Sequence, residues 1–410
     1  MATIDSGTSV PARVVKLLRW LSLFAAVFAL GLVMFGAFVR LSNAGLSCPD
    51  WPTCYGHVTW PQHAQAVAHA DAAFPERPYE GDKAWREQVH RFFAGGLGVM
   101  VLALALLAGW RERRATIAVV IGAIFAAVAV SLYIGGEHRW SSLLALFAIA
   151  LPLAAAAALR RPGAWKICVL TLGVVIFQAM LGMWTVTLLL KPVVVMGHLL
   201  GGITTFALLA YAALRFGGVG SGSVGSISAG ATSGQLARLR RFVGLGIVLL
   251  FCQIALGGWT SANYAALACG YGAGAFPQCG GQWMPATDFH QGFVLWRGIG
   301  VNYEGGVLDE AARAAIQMTH RLGALVVFCY LAWLAFRTAR QGLPRYASAI
   351  VLALVAQILL GISNVVFGLP LPVATAHNGM AALLLLTLLA ILARTQPRLD
   401  ASLPATRDNP

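Results

Sequence analysis

VHRFFAGGLG (residues 89–98) and THRLGALVV (residues 319–327) open two apolar stretches with the same pair, His90-Arg91 and His320-Arg321. The pair has company on both sides. Ahead of it, GAFVRLSNAGLSC runs from Gly36 to Cys48 and GGWTSANYAALAC from Gly257 to Cys269, twelve residues from glycine to cysteine each time. Behind it, Gln178 of QAMLGMW precedes His198 by twenty residues, and Gln357 of QILLGIS precedes His377 by twenty. Three matches in one order mark a tandem duplication. His90, His198, His320 and His377 then hold equivalent places in two copies. One imidazole at the edge of a membrane helix is as readily a satisfied polar group as a ligand, but four in register point to two ligand sites.

The copies are built for a membrane. Of 410 residues, 59% are hydrophobic and 11% charged, which leaves too little polar surface for a soluble domain. Ten stretches of about 20 apolar residues, near 17–39, 89–110, 115–135, 141–159, 167–190, 194–215, 242–262, 315–337, 347–367 and 373–394, are each long enough to cross the hydrocarbon core as helices. The fold class is therefore an all-α polytopic membrane protein of two tandem four-helix bundles related by internal pseudo-symmetry, with the axis along the membrane normal. Residues 115–160 have no counterpart in the second copy and are predicted to form an inserted two-helix hairpin. Its turn GGEHRW carries Glu137 and His138, read as ordinary loop polarity. The expected organisation is an N-terminal repeat (1–216), a Gly/Ser-rich linker (217–241), a C-terminal repeat (242–396) and a disordered tail (397–410).

Basic residues set the orientation. Arg13, Lys16 and Arg19, Arg111, Arg113 and Arg114, Arg160, Arg161 and Lys166, Arg238, Arg240 and Arg241, and Arg337, Arg340 and Arg345 all fall on one side if ten spans are counted. The positive-inside rule makes that side, and both termini, cytoplasmic. The formal charge of +14 is then explained by topological anchors near anionic headgroups, with no nucleic-acid partner. The short tail before the first span has no cleavage site after it and no long presequence, which predicts a retained helix in a bacterial plasma membrane.

Seven cysteines divide by position. Cys168, Cys252 and Cys329 lie within spans and are expected to pack as small apolar residues. Cys48 with Cys54, and Cys269 with Cys279, sit in two long outer loops, where an oxidising compartment permits in-loop disulfides. Such rings would stiffen the lids over the histidines or exchange with a redox partner.

All four repeat histidines are placed at the outer ends of their spans, two per half, where inward side chains of a bundle can build a ligand site. Zinc would need three or four protein ligands, and neither HExxH nor paired CxxC is present. Two imidazoles per site suit haem iron, whose macrocycle supplies four nitrogens. Glycines beside them, Gly95, Gly96, Gly98, Gly201 and Gly202, suit either a bulky ring or close helix packing. The halves differ at one position: three residues before His90 stands Glu87, and three before His320 stands Gln317. A carboxylate beside one site and an amide beside its twin favours a catalytic first half and an electron-transferring second.

With RLSNAGLSCPDWPTC (40–54), EQVHR (87–91), FQAMLGMWTVT (177–187), VMGHLLGG (195–202), MTHRLGALVV (318–327) and ATAHNG (374–379), the chain resembles the heme A synthase family across both halves. The resemblance implies oxidation of the C8 methyl of heme O, through an alcohol, to the formyl group of heme A for aa3-type cytochrome oxidase. It implies heme b iron held axially by His320 and His377, heme O received near His90 and His198, Glu87 as the essential carboxylate, and Cys48/Cys54 and Cys269/Cys279 as the family's cysteine pairs. It also implies heme O synthase, cytochrome oxidase assembly machinery and an electron donor, a quinol or a thiol–disulfide partner, as partners. The hairpin exceeds the family's usual eight helices. Two other readings remain at this stage: a two-haem b-type electron carrier, which leaves the Glu87/Gln317 difference unused, and a transporter, which predicts polar residues at the membrane midplane.

Overall fold

The computed structural model describes residues 11–110, 112–158, 164–219 and 233–396. These form α1 (Ala12–Leu41), α2 (Ala64–Ala73), α3 (Gly81–Gly109), α4 (Arg113–Ile134), α5 (His138–Ala158), α6 (Ala164–Thr187), α7 (Pro192–Phe216), α8 (Ser233–Ala262), α9 (Phe289–Gly292), α10 (Glu310–Arg340), α11 (Pro344–Val366) and α12 (Leu371–Thr395). All but the short α2 and α9 are long and apolar enough to cross a membrane.

The helices close into two rings. Helix α1 packs on α3, α3 on α6, α6 on α7 and α7 on α1; α8 packs on α10, α10 on α11, α11 on α12 and α12 on α8. Burial follows the sequence repeat residue by residue. Leu97, Val101, Leu104 and Ala105 of α3 are buried, and so are Val327, Leu331, Leu334 and Ala335 of α10. The same holds for Ile203, Phe206 and Leu209 of α7 against Ala382, Leu385 and Leu388 of α12. Equal spacing on a 3.6-residue helix turns the same stripe inward in both copies.

The rings touch through α1, α7, α8 and α12. A Cβ on Gly379 of α12 would lie 2.8 Å from Met34 Sδ of α1, so the two backbones approach as closely as a glycine permits. At the end carrying the long loops, the second loop lies over the first ring. Arg77 pairs with Glu304 at 2.9 Å, the Tyr303 amide donates to the Leu189 carbonyl at 3.0 Å, and Arg40 donates to the Ser261 carbonyl at 2.8 Å.

Every spanning helix starts before the limit that hydropathy sets for it. Helices α3 and α10 begin at Gly81 and Glu310, two to three turns and about one turn before their apolar stretches. Their first turns project into the loops, and α10 is capped there by Asp309, whose carboxylate accepts the Ala312 amide at 2.8 Å. His90 and His320 therefore stand ten residues or so inside their helices, not at the start. Part of the expected linker is helical too, since α8 starts at Ser233; residues 220–232, Arg111, Arg160, Arg161, the first ten residues and the tail 397–410 lie outside the described residues. Of the in-span cysteines, Cys168 packs inside, whereas Cys252 and Cys329 face outward.

The hairpin α4–α5 is clasped at Gly122, where a Cβ would come within 3.2 Å of Pro152. It lies outside the first ring, with α4 on α3 and α5 on α6.

Candidate functional site

His90 on α3 and His198 on α7 face each other inside the first ring, with ring centroids 6.5 Å apart and planes at 65°. Each ring is admitted by a glycine on the neighbouring helix. A Cβ on Gly36 of α1 would stand 2.9 Å from His90 Nε2, and one on Gly182 of α6 would stand 3.1 Å from His198 Cε1. The second ring repeats the device: Gly257 of α8 lies under His320 at 3.2 Å and Gly361 of α11 under His377 at 3.1 Å. His320 and His377 are near enough to interact electrostatically.

Glutamines lock three of the four imidazoles. Gln178 Nε2 lies 3.0 Å from His198 Nδ1 and donates to the His198 carbonyl at 2.7 Å. Gln253 does the same to His320 at 3.0 and 2.9 Å, and Gln357 meets a ring nitrogen of His377 at 3.2 Å. Each glutamine precedes its glycine by one helical turn, which the repeat pattern already displays for Gln178 and Gln357; Gln253 carried the same signal and was not singled out. In α1 that position is Leu32, which has no side-chain amide to offer His90. Each contact fixes the orientation of its ring, as a metal-binding imidazole requires.

Glu87 projects to the same cavity, 6% exposed. Its Oε2 accepts the Cys48 amide at 2.9 Å and the Ser47 hydroxyl at 3.0 Å, while Oε1 pairs with Arg91 at 2.6 Å. Arg91 in turn donates to the carbonyls of Asp50 and Thr53 at 2.8 and 2.7 Å. One carboxylate and one guanidinium thus tie the cavity to the first loop. In the second half Gln317 is equally buried, its amide oxygen unpartnered. Arg321 there grips the loop through the carbonyls of Pro277 and Gln278, with no carboxylate among its described partners.

The loops are copies as well. Cys48–Cys54 and Cys269–Cys279 are both disulfides, and Cys54 and Cys279 each bridge the residue three further on, His57 and Gln282, across a tight turn. Trp-Pro-Thr-Cys (51–54) and Phe-Pro-Gln-Cys (276–279) carry this similarity in the sequence. All four sulfurs' residues are buried, which suits lids stiffened from within. Tyr55 packs beside the first disulfide, its hydroxyl donating to the Arg77 and Pro78 carbonyls. Burial pushes its pKa up to about 12, so it stays a neutral donor.

The cavity around His90 and His198 has a volume of about 1230 Å³. Its donor set excludes a metal held by side chains alone, because no group of three or more His, Cys, Asp or Glu is assembled among the described residues. His90 and His198, facing each other, would hold a metal that brings its own further donors, as a macrocycle does. The glycine cradles and the two facing imidazoles fit such a group. Gly36→Ala is expected to displace His90 and cost about 1–3 kcal/mol by overpacking, seen as a lower unfolding midpoint in detergent. Gly31→Ala on the same helix, where a Cβ meets nothing within 4 Å, is expected to cause no loss.

The sequence is similar to known proteins. The cytochrome oxidase assembly protein family (COX15-CtaA) matches residues 19–135 and 132–389. A heme A synthase of Shewanella oneidensis is 38% identical over 376 residues, 91% of this chain and 95% of the relative. One from Rhizorhabdus wittichii is 24% identical over 91% of this chain and 92% of its own length, and one from Paracoccus denitrificans is 35% identical over 35% of this chain and 34% of its own.

Proposed function

The chain belongs to the COX15-CtaA family of heme A synthases, membrane oxidoreductases that convert heme O to heme A, and from that premise we propose how its halves divide the work. The first half, within residues 1–216, binds heme O between His90 and His198 and oxidises it beside Glu87. The second, within 242–396, holds heme b between His320 and His377 and passes electrons. A bound haem iron supplies the redox chemistry that no side chain can. Glu87 holds or moves a proton at Oε2, where the Cys48 amide and the Ser47 hydroxyl already converge. Arg91 pairs with the other oxygen and keeps the carboxylate aimed at the cavity.

One observation carries the division: Glu87, buried with Arg91 in a cavity shared with His90, is replaced in the twin by Gln317. An electron carrier alone would have no use for that difference. Both sites lie toward the loop-bearing end, which we assign to the non-cytoplasmic face of a bacterial plasma membrane, with both termini cytoplasmic. Heme O arrives from heme O synthase, heme A leaves to cytochrome oxidase assembly, and electrons are exchanged with a quinol or a thiol–disulfide carrier.

Purification from a host that makes heme O, followed by pigment extraction, is expected to yield heme A beside heme B. Heme B alone would leave a two-haem electron carrier as the better description.

A further inference from the structure

The first cavity extends sideways beyond the histidines, between α3 and α6, and ends on the inserted hairpin. Helix α4 turns Ile121, Ile124 and Val128 outward and lines the cavity with Ala123, Ala126, Ala127 and Val130. Opposite this wall, α3 presents Gly95, where a Cβ would meet nothing within 4 Å. At about 1230 Å³ the space exceeds the roughly 300–1,000 Å³ of ordinary ligand pockets.

The second ring handles the same cleft differently. By the repeat, Gly95 corresponds to Leu325, which is 57% exposed, and on the facing helix α11 Leu359 is 59% exposed. No hairpin follows α10, so bulky side chains face the bilayer there. The second copy turns these leucines outward; the first has glycine in place of Leu325 and is flanked there by two extra helices. Polar groups from the hairpin, at Tyr133, His138 and Ser141, reach the cavity only at the loop-bearing rim. Below that rim the hairpin wall is apolar and suits a flexible hydrocarbon chain.

We infer that the hairpin α4–α5 and Gly95 form a side compartment for the isoprenoid tail of the substrate, making the hairpin a specificity element of the first site. The inference rests on heme O binding between His90 and His198. Heme O and heme b differ by that tail, and the hairpin flanks the first ring alone among the described residues.

The test uses full-length protein from a host lacking heme O, titrated separately with heme O and with tail-less heme B and followed by absorption at the first site. Gly95→Leu, which borrows the second half's residue, and Ala126→Phe are each expected to weaken heme O binding by at least about tenfold, since one methylene in an apolar pocket is worth roughly 10–200-fold. Heme B binding should change less than about twofold, and resident heme at His320 and His377, the check on folding, should not change. Equal losses for both ligands, or no loss for either, would overturn the inference. A wild-type protein that binds neither ligand at the first site would instead sink the reading on which it rests.

Discussion

Glu87→Gln is expected to lower heme A formation by at least about a hundredfold while resident heme in the second half remains at wild-type content. The magnitude follows from the roughly 10²–10⁴-fold that a positioned acid or base contributes. The variant also separates chemistry from architecture. An amide keeps an oxygen for the Cys48 amide and the Ser47 hydroxyl, but it cannot neutralise Arg91. Leaving one partner of a buried pair uncompensated costs about 3–5 kcal/mol, so both variants should lose stability, and Glu87→Gln, which keeps an oxygen for the loop, should lose less than Glu87→Ala. Heme A output is measured in extracted pigment and resident heme by the absorption of the purified protein. Undiminished heme A from Glu87→Gln would remove this carboxylate from the mechanism.

His320→Ala is expected to deplete the resident heme, and His377→Ala likewise. Each leaves a site with a single imidazole and takes away the ring that sits on Gly257 or Gly361. Gln253→Leu provides the graded version: it keeps the imidazole but frees the ring, and loss of such a partner typically costs 10–100-fold in metal affinity. Heme content per protein should fall in the order wild type, Gln253→Leu, His320→Ala. Full heme content in His320→Ala would show that the second half does not use this residue as a ligand.

Much of this was legible before any coordinates. Identical spacings from Gly36 and Gly257, and from Gln178 and Gln357, place the four histidines because helical period and helix order preserve spacing. The ten spans were visible because membrane helices must be apolar over a fixed length. What escaped depends on tertiary placement. The polar first turns of α3 and α10 and the short α2 and α9 in the loops carry no hydropathy signal. His138, read as loop polarity, reaches the rim of the cavity, because the hairpin folds back on the first ring and not away from it. The pairing of Glu87 with Arg91 and the Cys48 amide needs the loop's path, which spacing alone does not give.

The strap from the second loop across the first ring has a mechanical consequence. Arg77 with Glu304 and Tyr303 with Leu189 anchor one end of the interface, while Gly379 against Met34 leaves no slack farther down. A molecule fastened at both levels resists rocking of one half against the other, so groups bound in the two halves would keep a separation set by the fold.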